Sequence, residues 1–128
     1  MFKNGIIVIL LATALIVQAQ TADVNLQRLA EAVQAINEDQ LPRANQLLNS
    51  VLAALPNDAD ALNLLGVVRA KQQRTAEAER LFRRALASSQ SHLGAHINLS
   101  ELLITTNRSA EALPILLRAH KLAPERSD

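Results

Sequence analysis

The chain has 128 residues, with 13 Lys or Arg against 12 Asp or Glu and no cysteine. Near-balanced charge removes any global attraction to nucleic acid. The lack of cysteine removes disulfides, thiolate metal sites and cysteine nucleophiles. Hydrophobic residues make up 49%, yet Phe2 and Phe82 are the only aromatics, and the dominant residues (Ala, Leu, Arg, Glu, Gln) are strong helix formers, so the composition predicts an all-α fold.

The first element is an apolar run from Ile6 to Val17, preceded by the basic Lys3 and followed by "VQAQTAD". A basic start, an apolar stretch and a small-residue exit are the three parts of a secretory signal. Val17 and Ala19 fall at the −3 and −1 positions, so residues 1–19 are expected to be a signal peptide cleaved before Gln20, leaving 20–128 as the mature domain. The expected location is periplasmic or secreted, in a bacterial host. Membrane spans need roughly 18–20 apolar residues. The run is shorter, and the alternative is an uncleaved segment that anchors the chain in the inner membrane through 6–17. Contact with a membrane is expected only in that case.

From about residue 25 the chain repeats in steps of 34. "RTAEAERLFRRAL" begins at Arg74 and "RSAEALPILLRAH" at Arg108. The triplet Ala44, Leu48, Val51 recurs as Ala78, Phe82, Ala85 and as Ala112, Leu116, Ala119. Small residues let two helices touch and the large one fills the gap between them. A second stripe precedes each triplet: Leu62, Leu65, Gly66, Arg69 in the middle unit and His96, Leu99, Ser100, Leu103 in the last. In the first unit the stripe is Leu29, Ala32, Val33, Ile36, one residue late, which predicts a turn shorter by one residue. Spacing 0, 3, 4, 7 places each set on one helix face. Helices are predicted near 25–38, 41–54, 59–72, 75–88, 93–106 and 109–122. Thr75 and Ser109 are expected as N-caps, with Glu77 and Glu111 in the first turns. Pro42 suits a helix start, Asp58 caps the third helix, and Pro114 should bend the last one.

These residues resemble the tetratricopeptide repeat, whose pattern is a large residue, Leu-Gly, an aromatic, then Ala, Phe, Ala and a closing Pro. "LNLLGVVR" with "AERLFRRA" carries the likeness in the middle unit, and "HINLSELL" with "ALPILLRA" and "LAP" in the last. The resemblance covers about 25–124 and implies three helix–turn–helix units, about 25–58, 59–92 and 93–124, stacked as a short right-handed α-solenoid of six helices. The departures are His96 at the first large site, Arg69 at the aromatic site and Gln90 for the closing proline, which predict looser packing at the exit of the middle unit.

Residues that could carry chemistry are few. His92 and His96 are four apart, but Leu93 stands where zinc peptidases need Glu, and no third ligand joins them. They are read as a helix-start and a packing histidine, with no metal site. Arg69, Lys71, Arg74, Arg80, Arg83 and Arg84 form a basic cluster without aromatic platforms, so it reads as a solvated face with pairs such as Glu79–Arg83 and Glu77–Arg80. "NLS" at Asn98 and "NRS" at Asn107 match the glycosylation acceptor pattern, which matters only in a eukaryotic secretory route. No phosphate loop or catalytic constellation is present in the sequence. The expectation is a protein that is not an enzyme, has no catalytic residues and carries no cofactor.

The family's first helices line a concave groove that holds peptides. Carried over, the resemblance assigns this groove to Gln34, Asn63, Leu64, Val67, Lys71, Ile97, Asn98 and Glu101. Ala30, Gly94 and Asn98 stand where the carboxylate-gripping versions have cations, so a carboxylate clamp is not expected. An apolar strip, two amides and acidic edges remain, which favour a peptide with some basic character. The resulting expectation is an exported scaffold that binds a peptide or helix of an envelope or secreted partner. The alternative is a self-associating module, a weak homodimer through 109–122, whose apolar residues, Leu117 among them, exceed what one neighbour can cover.

Overall fold

The structure is a computed structural model that describes residues 3–123, with side chains from Gly5 onward. The Lys3 side chain, with its expected basic role, and the closing Pro124 therefore lie outside what is described. The described chain is helical without strands: α1 (Lys3–Asn37), α2 (Leu41–Ala54), α3 (Ala59–Lys71), α4 (Thr75–Ser88), α5 (Leu93–Thr105) and α6 (Ser109–Leu122). The predicted helices are all present, and the first is the last part of a 35-residue helix. Three-residue turns fold α1 onto α2, α3 onto α4 and α5 onto α6, and α2 and α4 then pack on α3 and α5 of the next pair. The result is a helix–turn–helix solenoid.

The repeated triplets build its interior. Ala44, Leu48 and Val51 are buried with Ala32, Ala35, Ile36, Leu65 and Val68. Phe82 is buried with Ala78, Leu99, Leu103 and Ala112. Gly66 is required by Phe82, because a Cβ at that position would lie 2.5 Å from the ring's Cε1 and 2.7 Å from Cδ1. Leu116, the third large residue of the series, is 39% exposed. Leu48 and Phe82 are covered by the first helix of a following unit, and the described residues supply none after α6.

Two expectations about the units are corrected. The first turn is not shorter. Asp39, Gln73 and Asn107 all have positive φ, of 58°, 64° and 61°, and they lie 34 residues apart. Each sits in the same double-bonded helix ending. The Gln40, Arg74 and Arg108 amides donate to the carbonyls of Ala35, Arg69 and Leu103, while the amides of Asp39, Gln73 and Asn107 donate to Ile36, Ala70 and Ile104. This is the Schellman arrangement, with Asp, Gln and Asn in place of the usual Gly. The first unit thus keeps the strict 34-residue step, and Val33 of the expected stripe is exposed. Thr75 and Ser109 do not cap. They are the first helical residues, behind Arg74 and Arg108, whose side chains make no cap hydrogen bond. Those arginines instead reach forward to Glu77 and Glu111 (2.7 and 2.8 Å). Asp58 does cap α3, accepting from the Ala61 amide at 2.8 Å, and Pro42 lies in the first turn of α2.

Two departures from the repeat pattern meet in space. His96 is buried, and its Nε2–H donates to the Gln90 carbonyl at 2.9 Å. The histidine thereby holds the segment where a closing proline would otherwise stiffen the chain, so the exit of the middle unit is tied rather than loose. Arg69, at the aromatic site, lies 3.4 Å from Glu77 with its side chain 14% exposed. Glu77 therefore pairs with Arg69 and Arg74, not with Arg80 as expected, whereas the expected Glu79–Arg83 pair is present at 2.8 Å.

Candidate binding groove

The first helices of the units lie side by side, α1 against α3 and α3 against α5. They run in the same direction because each unit is an antiparallel hairpin. Two open depressions follow the lines where they meet.

The depression between α1 and α3 has a volume of about 310 Å³. Leu26, Leu29, Ala30 and Val33 line one side, and Asp60, Asn63 and Leu64 the other. The one between α3 and α5 is larger, about 500 Å³. It has Val67, Ala70 and Phe82 among its apolar residues and Lys71, Asn98, Glu101, Gln73 and Thr106 among its polar ones. Asn98 Nδ2 donates to Asn63 Oδ1 at 2.9 Å and links the two. Each amide keeps one group outside this bond: Asn98 its oxygen and Asn63 its NH2.

The residues assigned from sequence divide accordingly. Val67, Lys71, Asn98 and Glu101 gather around the larger depression, and Asn63 and Leu64 around the smaller. Gln34 lines neither; its Nε2 donates to Glu38 at 2.8 Å near the end of α1. Ile97 is 46% exposed and also lines neither. Asn63 is buried at 8% exposure, and Leu64 packs against the first core cluster, so neither is a free surface group. Sequence reasoning passed over Gln73, Thr75, Thr105 and Thr106, which close the larger depression at the helix ends. Their signal was position beside a turn, which residue type does not reveal.

The charged residues of the lining are Asp60 and Glu101, with Lys71. Nearby, Glu31 on α1 lies 3.7 Å from Arg43, and Glu38 and Asp39 follow the helix. Asp60 starts α3, and Glu101 lies on α5 without a cationic partner among the described residues. Lys71 sits 3.8 Å from Asp39. At the edge where α3 and α5 begin, His92 replaces Asp58 as the capping residue, 34 positions on. Its Nδ1 accepts from the Ala95 amide at 3.0 Å. That bond places the proton on Nε2, which donates to Asp60 Oδ1 at 2.9 Å. His92 thus joins the starts of α3 and α5. No group of three or more His, Cys, Asp or Glu among the described residues could hold a metal ion.

On the opposite side, Glu79 receives Arg108 at 2.7 Å and Arg83 at 2.8 Å, and Arg108 also holds Glu111 at 2.8 Å. The hydrogen bond from Arg108, reinforced by that from Arg83, keeps the Glu79 carboxyl below the usual carboxylate range. The Arg108 guanidinium lowers Glu111 in the same way. These groups tie α4 to the start of α6.

Known proteins share parts of this sequence and this fold. A Cellulose synthase operon protein C of Xanthomonas axonopodis pv. citri (strain 306) is 43% identical over 68 residues, 53% of this chain and 4% of that protein. An O-GlcNAc transferase of Thermobaculum terrenum superposes with a TM-score of 0.76 at 25% identity, over 82% of this chain and 20% of that one. The TPR2B domain of yeast Sti1, solved in complex with pHsp70, has a TM-score of 0.71 at 19% identity, covering 77% of this chain and 79% of the other. The chain therefore spans a small part of the first two proteins and matches most of the third. Family models described as Tetratricopeptide repeat match residues 29–92 and 69–128, the first of them half of the sequence. The chain belongs to the tetratricopeptide repeat family, whose fold serves as a scaffold for protein–protein interaction.

Proposed function

We propose that the chain is an exported, non-catalytic scaffold whose groove holds a peptide or helix of an envelope or secreted partner. One observation carries the reading: two depressions with apolar walls lie side by side, bridged by the Asn63–Asn98 amide pair, with Asp60 lining one and Glu101 the other. Apolar side chains of a ligand fit the depressions, the Asn98 oxygen pairs with its backbone whatever its sequence, and Glu101, without a cationic partner among the described residues, favours a basic residue. Photo-crosslinkers at Glu101 and Ala30, with controls at Arg83 and Ala87 on the other face, test this in the exported fraction. Adducts to one defined segment from the groove positions alone are the expected result. Equal labelling from both faces overturns the reading.

Self-association is a second reading, favoured by α6, where Leu113 and Leu117 are 58% and 55% exposed. Burying two leucines there contributes about 1.5–3 kcal/mol each, enough for a weak homodimer and too little for a tight one.

A further inference from the structure

The apolar run does not end at a linker. Helix α1 passes without interruption from Lys3 to Asn37, through the expected cleavage point before Gln20, and Asn25 near its middle is already buried in the first unit. The run has no place in the solenoid: Ile6 to Leu11 and Leu15 to Val17 are 55–66% exposed. Within Gly5–Asn37 lies an 18-residue window of mean hydropathy 2.0, none of it buried. No charged residue stands between Lys3 and Asp23. At 1.5 Å per residue, the charge-free stretch 4–22 is about 28 Å long, close to the ~30 Å of a bilayer's hydrocarbon layer.

Topology then sets the posture of the repeats. Leu26 and Ala30 of α1 lie beside Asp60 and Leu64 of α3, so α1 leaves the solenoid at the edge where α3 and α5 begin. The ends of the antiparallel helices α2 and α4 meet that edge, where Arg84 donates to the Pro56 carbonyl at 3.3 Å and Ser88 donates to Asn57. We propose that α1 is retained as a bilayer-spanning anchor, and that its unbroken continuation into the first unit holds the solenoid edge-on at the membrane surface, with the 55–58 and 89–92 turns at the headgroups. The stacked units, and the groove across them, then run along the bilayer plane. If the groove takes a peptide as read above, it takes one lying parallel to the membrane, such as the stretch of a membrane protein just outside the bilayer.

The absence of cysteine makes the test direct. Full-length protein carrying single cysteines is labelled with a fluorophore and reconstituted into phosphatidylcholine vesicles holding a headgroup quencher. Asn57→Cys and Ser91→Cys lie on the near edge; Ala76→Cys and Ser109→Cys lie one helix length away, about 21 Å for 14 residues. The expected result is severalfold stronger quenching at 57 and 91 than at 76 and 109, lost when a Gly-Ser linker is inserted between Gln20 and Thr21. Equal quenching at all four sites overturns the rigid posture. Extraction of the chain from membranes by alkaline carbonate, or a cellular protein that begins at Gln20, overturns the anchor. None of these readouts depends on a groove ligand, so failure of the peptide reading is seen separately, in the crosslinking experiment.

Discussion

Asp39, Gln73 and Asn107 hold a backbone conformation that costs a side-chain-bearing residue about 1–2 kcal/mol and glycine far less. The hydrogen bonds around each turn enforce it, so the strain is carried by the folded state. Gln73→Gly is expected to raise stability by roughly 0.5–1 kcal/mol once the greater freedom of unfolded glycine is subtracted; chemical denaturation of the two proteins measures it. Glu79 offers a test of the opposite sign. Its carboxyl titrates below the usual range because Arg108 and Arg83 bond its charged form. A depressed native value means that the contribution is full above the unfolded carboxylate value, about 4.3, and is lost as pH falls through the native one. The wild type should therefore melt above Glu79→Gln at pH 7, with the gap closing between about pH 5 and 3. A gap constant across that range would remove the ion cluster from the stability of the fold.

Helix faces, rather than single residues, decide where substitutions hurt. Phe82 joins α4 to α5 and touches the site of Gly66 on α3. Phe82→Ala should cost roughly 3–5 kcal/mol, and Gly66→Ala about 1–3 kcal/mol, because the buried ring has little room to withdraw. Ile97→Glu, on the exposed side of α5 and outside both depressions, should leave the melting curve in place. Leu64→Glu should lower the melting temperature, since that side chain packs on the core. If the two substitutions melt alike, the assignment of faces has slipped. The second helices were legible in the sequence, because a large residue flanked by small ones, recurring every 34 positions, is the pattern that closely crossing helices demand. The first helix of the first unit was not. Ala30 and Val33 lie on the exposed side of α1 and Ala32 and Ala35 on the buried one, so apolar periodicity alone cannot choose a face. The choice is made by main-chain bonds at Asp39, which leave no residue-type signature. The groove was half legible: its outward positions follow from the repeat step, whereas the burial of Asn63 depends on how closely α5 approaches, a property of packing.

At the scale of the molecule, a stack in which each unit is covered only by its neighbours has little stability in reserve, and its outer faces differ in kind. The start is extended by the apolar half of α1, and the last described helix offers Leu113, Leu116 and Leu117. Sedimentation across a range of concentrations should show weak association, reduced by Leu117→Lys without loss of helicity; a species that stays monomeric at every concentration rules out α6 as a homodimer contact. The three turns with matched dihedrals and matched bonds have a further consequence. They act as a ruler: within every unit the second helix leaves the first from the same point and in the same direction. Residues 59–92 are therefore a cassette. A second copy spliced in after His92 would offer its own first-helix face to one Phe82 and its own Phe82 to the next, lengthening the groove by one depression, with Arg69 in the place of Leu103 as the contact to be refitted. Lengthening by duplication also needs a constant junction between units, and the 55–58 and 89–92 turns supply one: each has four residues, the same main-chain bond, and a last residue whose side chain caps the helix that follows.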